Sequence, residues 1–236
     1  VGDYFKDLRI SRILSASLKN LIPTMFVLAV FAVLEISVSM LSRGRNLQTV
    51  VSDLLTGAVL SLHAISPLLA ALLYEFFCMG AWFFGIHGQN LLYVINDGFY
   101  ADLLVENING VAQNIINTTF LNTFCLFGGS GCVLALVIAI LLRSKNRTTR
   151  SVAYCAIIPE IFNMSEVMTF GLPIAFNSYL CVPFIAVPMI NCAVAYAATS
   201  LHLVPVVNRM INWTTPVLVS GYMATGSVRG LLLQMI

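Results

Sequence analysis

Residues 120–142 read FLNTFCLFGGSGCVLALVIAILL, and residues 143–150, RSKNRTTR, follow at once. The first stretch carries no charge and is long enough to cross a bilayer core of about 30 Å, which takes about 20 helical residues. Within it, Gly128-Gly129-Ser130-Gly131 allows either a close helix approach or a break in the helix. Arg143, Lys145, Arg147 and Arg150 form the densest basic loop of the chain, and the positive-inside rule places it in the cytoplasm. The fold class read from this pairing is an all-α integral membrane protein with multiple transmembrane helices.

Composition agrees. Of 236 residues, 59% are hydrophobic and 9% are charged, against about 25% charged in a soluble domain. The net charge is only +2, and the basic residues sit in short clusters between apolar runs, which excludes a nucleic-acid surface. Six cysteines (Cys78, Cys125, Cys132, Cys155, Cys181 and Cys192) lie in apolar runs without a CxxC pair or histidines at metal spacing, and read as small buried hydrophobes. No metal, nucleotide or flavin motif is present, so no cofactor is expected.

Working outward, residues 1–20 interleave Lys6, Arg9, Arg12 and Lys19 with apolar positions, as an interfacial amphipathic helix does. Leu21–Leu41 is the first span, with Pro23 near its start and Glu35 towards its end. Leu54–Ile65 reads as an interfacial or packed helix, and Pro67–Phe84 as a second span containing Glu75. The stretch 89–119 is rich in Asn and carries Asp97, Asp102 and Glu106, so part of it lies at a surface or in a wet cavity. Residues 156–177 are apolar yet broken by Pro159, Asn163, Ser165, Glu166, Gly171 and Pro173. That texture predicts a re-entrant hairpin, because backbone leaves the helix at membrane depth only where protein or a watery cavity satisfies it. Leu180–Thr199 is a further span, and Trp213–Gly226 a second broken segment. Neither end reads as natural: the chain opens Val1-Gly2 without Met or signal peptide, and the apolar stretch from Gly230 to Ile236 is too short to cross.

Five blocks, in order, carry a resemblance: Trp82-Phe83-Phe84-Gly85-Ile86-His87-Gly88; Gly128-Gly129-Ser130-Gly131; Pro159-Glu160-Ile161-Phe162-Asn163-Met164-Ser165-Glu166 with Phe170-Gly171-Leu172-Pro173-Ile174; Leu203-Val204-Pro205; and Trp213-Thr214-Thr215-Pro216 with Ser220-Gly221 and Ala224-Thr225-Gly226. Together they resemble the enzyme IIC components of the phosphotransferase system, lactose/cellobiose/diacetylchitobiose type. The resemblance implies a homodimeric permease of the bacterial inner membrane, multi-pass, that binds and translocates a disaccharide. It further implies phosphorylation of the sugar's 6-hydroxyl by a phosphocysteine on a separate IIB protein. Members are roughly twice this length, so residues 1–236 are expected to be part of such a domain, lacking its opening helices and the end of its last span.

Glu166 stands first among the site residues, since a carboxylate near the bilayer centre costs about 2.5–3.5 kcal/mol on insertion scales and is a functional candidate by default. The resemblance implies that it hydrogen-bonds the hydroxyl to be phosphorylated. His87 resembles the family's sugar-contacting histidine, and a neutral imidazole offers one donor and one acceptor to hydroxyls. Asn163 and Ser165 bind a hydroxyl or cap the broken helix. Trp213 stacks on a sugar face or anchors at the interface. Thr214 and Thr215 contact ligand or satisfy freed backbone groups. Glu35 and Glu75 are expected to pair with a basic residue or to face the helix bundle.

Two departures stand out. The family reads Asn-Glu-Pro where this chain has Ser165-Glu166-Val167, and Asn-Pro where it has Asn177-Ser178. Serine offers one hydroxyl where the amide has a separate donor and acceptor, and loss of proline removes a built-in bend. The alternative function is therefore a sugar-sensing membrane module derived from such a permease and fused to a signalling domain.

Overall fold

The computed structural model describes residues 12–172 and 174–235; Lys6, Arg9, Pro173 and Ile236, named above, lie outside the described residues. Every regular element among the described residues is helical. Three stretches are long and apolar enough to cross a membrane, Leu21–Leu41, Thr118–Arg143 and Ser178–Ser200, and Pro67–Phe83 is a shorter apolar helix. The chain is a multi-pass membrane protein.

The chain divides into two compact units, residues 1–54 and 55–236. In the first, helix α1 (Arg12–Leu41) continues without interruption through Pro23. The turn after it uses Arg43 and Gly44 at positive φ (59° and 89°). Among the described residues no basic side chain pairs with Glu35: its Oε2 accepts the backbone N–H of Leu47 at 3.0 Å. Leu47 opens α2 (Leu47–His63), so the carboxylate satisfies one of the N–H groups a helix start leaves free and lies at the positive end of its dipole. Arg45 pairs instead with Asp53 at 3.0 Å.

In the second unit, Ser66 caps α3 (Pro67–Phe83) by accepting from the Leu69 N–H, and Pro67 occupies the first turn, where its missing N–H costs nothing. A one-turn helix α4 (Gly88–Leu91) leads into a π-helical turn, Val94–Phe99, and then α5 (Tyr100–Ile108). The span beginning at Thr118 is broken in its middle. A short turn α6 (Thr118–Phe120) and a π-helical turn, Leu121–Cys125, precede a glycine loop, and α7 (Val133–Arg143) follows it. Gly128, Gly129, Gly131 and Cys132 all have positive φ, which ends a right-handed helix.

Asn146 caps α8 (Arg147–Ile161), which packs along α7; a tip at Phe162–Ser165 joins it to α9 (Glu166–Gly171). Helix α10 (Ser178–Ser200) keeps its helical course through Pro183 and Pro188 and packs chiefly on α3. The second broken segment runs irregularly to α11 (Val219–Thr225), which folds back on α12 (Val228–Leu233). Between α3 and α5, Tyr74 and Tyr100 meet edge to face at 5.6 Å, both buried. Glu75 is fully buried beside them, and neither of its oxygens has a hydrogen-bond partner among the described residues.

Candidate functional site

Three backbone irregularities converge on one cavity. The first is the turn after α3. Gly85 takes φ +76°, and a Cβ on Gly88 would overlap the carbonyl of Cys78, so the chain turns back hard against the helix it has just left. His87 caps α4 from this turn: its Nδ1 accepts the Asn90 N–H at 3.3 Å, and its ring lies 4.6 Å from that of buried Trp82. Behind the histidine, the Trp82 indole N–H donates to Gln89 Oε1 (2.9 Å), and Gln89 Nε2 donates to Ser130 Oγ (3.0 Å). The α3 turn is thereby tied to the glycine loop.

The glycine loop is the second irregularity and the hairpin tip the third. A Cβ on Gly129 would come within 2.8 Å of both the Asn163 carbonyl oxygen and Ser165 Cβ, so only glycine lets the two loops touch. Asn163 itself has φ +63°, a conformation that asparagine tolerates better than most residues. Its side chain is fully occupied by backbone: Oδ1 accepts the Gly128 N–H (3.0 Å), and Nδ2 donates to the carbonyls of Trp213 (2.7 Å) and Thr215 (3.0 Å). One amide therefore joins the glycine loop, the hairpin tip and the second broken segment.

Glu166 starts α9 immediately after this tip. Its Oε1 stands 3.9 Å from His87 Nε2, both side chains being about half exposed. The cavity between them has a volume of about 480 Å³, within the range of roughly 300–1,000 Å³ usual for small-molecule sites. His87, Asn163, Ser165, Glu166 and Trp213 all line it. Thr214 is not among the lining residues; its hydroxyl donates to Asn212 Oδ1 at 2.9 Å, and the Thr215 hydroxyl donates to the Asn212 carbonyl at 2.6 Å. Both threonines therefore satisfy local polar groups.

Sequence reasoning missed Gln89, Asn90, Asn96, Asp97 and Asn122, which also line the cavity. A signal was available, because Gln89, Tyr93 and Asn96 follow one another at the four- and three-residue steps of a single helix face. A fully buried acid, Glu160, lies earlier on the hairpin, with both oxygens unpartnered among the described residues.

Residues 9–188 match the family model described as Phosphotransferase system, EIIC. The chain belongs to the EIIC family. It is 33% identical to the PTS system oligo-beta-mannoside-specific EIIC component of Bacillus subtilis (strain 168), over 93% of this chain and 51% of that protein. To the PTS system cellobiose-specific EIIC component of Lactococcus lactis subsp. lactis (strain IL1403) it is 34% identical, over 71% and 38%. The crystal structure of the transporter ChbC, the IIC component from the N,N'-diacetylchitobiose-specific phosphotransferase system, superposes with a TM-score of 0.70 at 31% identity, covering 97% of this EIIC chain and 54% of that one. This chain thus spans about half the length of these relatives.

Proposed function

We propose that this EIIC chain belongs to a homodimeric permease that binds a disaccharide in the cavity, carries it across the membrane and presents its 6-hydroxyl to a phosphocysteine on a IIB partner. In this reading the two broken segments are re-entrant and wall the sugar off from lipid. The oligo-β-mannoside, cellobiose and diacetylchitobiose named for the relatives set the substrate class.

The carrying observation is the His87–Glu166 pair. Because the Asn90 N–H donates to Nδ1, the proton of the neutral imidazole sits on Nε2. Nε2 and Oε1 are too far apart, at 3.9 Å, to bond each other. A hydroxyl oxygen set between them lies within about 2.8 Å of both, accepting from Nε2–H and donating to the carboxylate. In transfer, that oxygen attacks phosphorus, the phosphorus–sulfur bond breaks with its electron pair leaving on sulfur, and the hydroxyl proton passes to Glu166. Geometry and proton acceptance are the whole of the protein's contribution at this atom.

Phosphoenolpyruvate-dependent phosphorylation of a disaccharide panel, in membranes carrying the full-length protein and its soluble partners, tests the reading. A sugar phosphate should appear, and Glu166→Gln should lower its rate by about 10²–10⁴. An unaffected mutant removes Glu166 from the chemistry. If no sugar is phosphorylated while a known permease works in the same assay, a sugar-sensing module takes the place of the permease.

A further inference from the structure

The cavity walls carry an unbalanced set of charges. Glu166 and Asp97 line it, and among the described residues neither a lysine nor an arginine does; the other polar groups include the amides Gln89, Asn90, Asn96 and Asn122, with His87, Ser130 and Ser165. Asp97 is exposed on the π-helical turn Val94–Phe99, and its Oδ1 accepts from Asn96 Nδ2 at 3.2 Å, which fixes its direction. The Arg150 guanidinium is held by the Leu141 carbonyl and does not line the cavity. Amides exchange hydrogen bonds readily with neutral hydroxyls, whereas an anionic ligand meets the repulsion of Asp97 and Glu166 with no lysine or arginine on the wall to offset it.

We infer that Asp97 and Glu166 make the cavity a charge filter, which admits uncharged disaccharides and rejects those bearing phosphate or carboxylate, the phosphorylated product included. This inference rests on the disaccharide reading above. Its consequence is directional. Phosphorylation at the 6-hydroxyl sets a dianion beside Glu166, and once Glu166 has released the proton it took in transfer, two acids again face that dianion, so the product leaves and does not rebind.

Calorimetric titration of the full-length protein with cellobiose, cellobiose 6-phosphate and the corresponding uronic acid tests this. Cellobiose should bind, both anions should bind at least tenfold more weakly at low salt, and that gap should narrow as ionic strength rises. Asp97→Asn should close the gap severalfold while changing cellobiose affinity less. Equal binding of cellobiose and its phosphate, or a gap insensitive to salt, overturns the filter and leaves the permease reading standing; the salt series needs no variant to fold. A gap unchanged in a folded Asp97→Asn protein also overturns it. If no neutral disaccharide binds, the permease reading falls and the filter with it.

Discussion

At the scale of single residues, the hairpin holds two glutamates with opposite surroundings. Glu166 faces the cavity, while Glu160 is sealed from solvent with no partner for either oxygen among the described residues. Burying a polar group without a hydrogen-bond partner costs free energy. Glu160→Met keeps the length of the side chain and removes both unpartnered oxygens, so thermal unfolding in detergent should find the variant more stable by about 1–3 kcal/mol. A destabilised variant would mean that the Glu160 carboxyl has found a partner or water in the folded state.

Between elements, the site depends on contacts that no local sequence pattern announces. The glycines marked the break at Gly128–Cys132, whereas the tip at Phe162–Ser165 holds neither glycine nor proline: α8 continues through Pro159, and the chain leaves the helix at Asn163 with positive φ. The role of Asn163 was not legible, because its partners Gly128, Trp213 and Thr215 are far away in the chain. Sequence alone left it as ligand or cap; the structure commits its amide to the three segments. Asn163→Ala removes all three bonds and strains the positive-φ tip, so a loss of about 2–4 kcal/mol in detergent stability is expected. Glu166→Gln, by contrast, should leave the melting temperature within a degree or two. A silent Asn163→Ala would show that the tip is held by packing alone. Gly129→Ala adds a methyl within 2.8 Å of the Asn163 carbonyl and forces a residue with Cβ to φ +88°. It should separate the same two loops, lowering disaccharide affinity by tenfold or more in an equilibrium binding measurement. Unchanged affinity would show that the contact does not shape the cavity.

Over the whole molecule, hydropathy and charge made the class of fold readable before any coordinate, because lipid demands long apolar helices and excludes other open structures. The same physics leaves the polar lining harder to read. The stretch 89–119 reads as partly wet, yet which of its residues face the cavity depends on the π-helical turn at Val94–Phe99, a feature without a composition signature. Orientation is the property of the whole chain that sequence addresses most directly. Arg143 ends α7, and Lys145, Arg147 and Arg150 follow before or within the first turn of α8. Arg150 is engaged locally, donating to the Leu141 carbonyl at 2.6 Å and lying over the Tyr154 ring. Arg143, Lys145 and Arg147 add positive charge to the loop, and moving them across the bilayer costs far more than leaving them on the side of synthesis. In the proposed permease, a phosphate donor made in the cytoplasm would approach from that side. Cys155 is an exposed native thiol, so the test begins from a Cys155→Ser background. There, Lys145→Cys should react with a membrane-impermeant maleimide in inside-out vesicles and resist it in right-side-out ones. Labelling from the outside would reverse the topology that the positive-inside rule assigns.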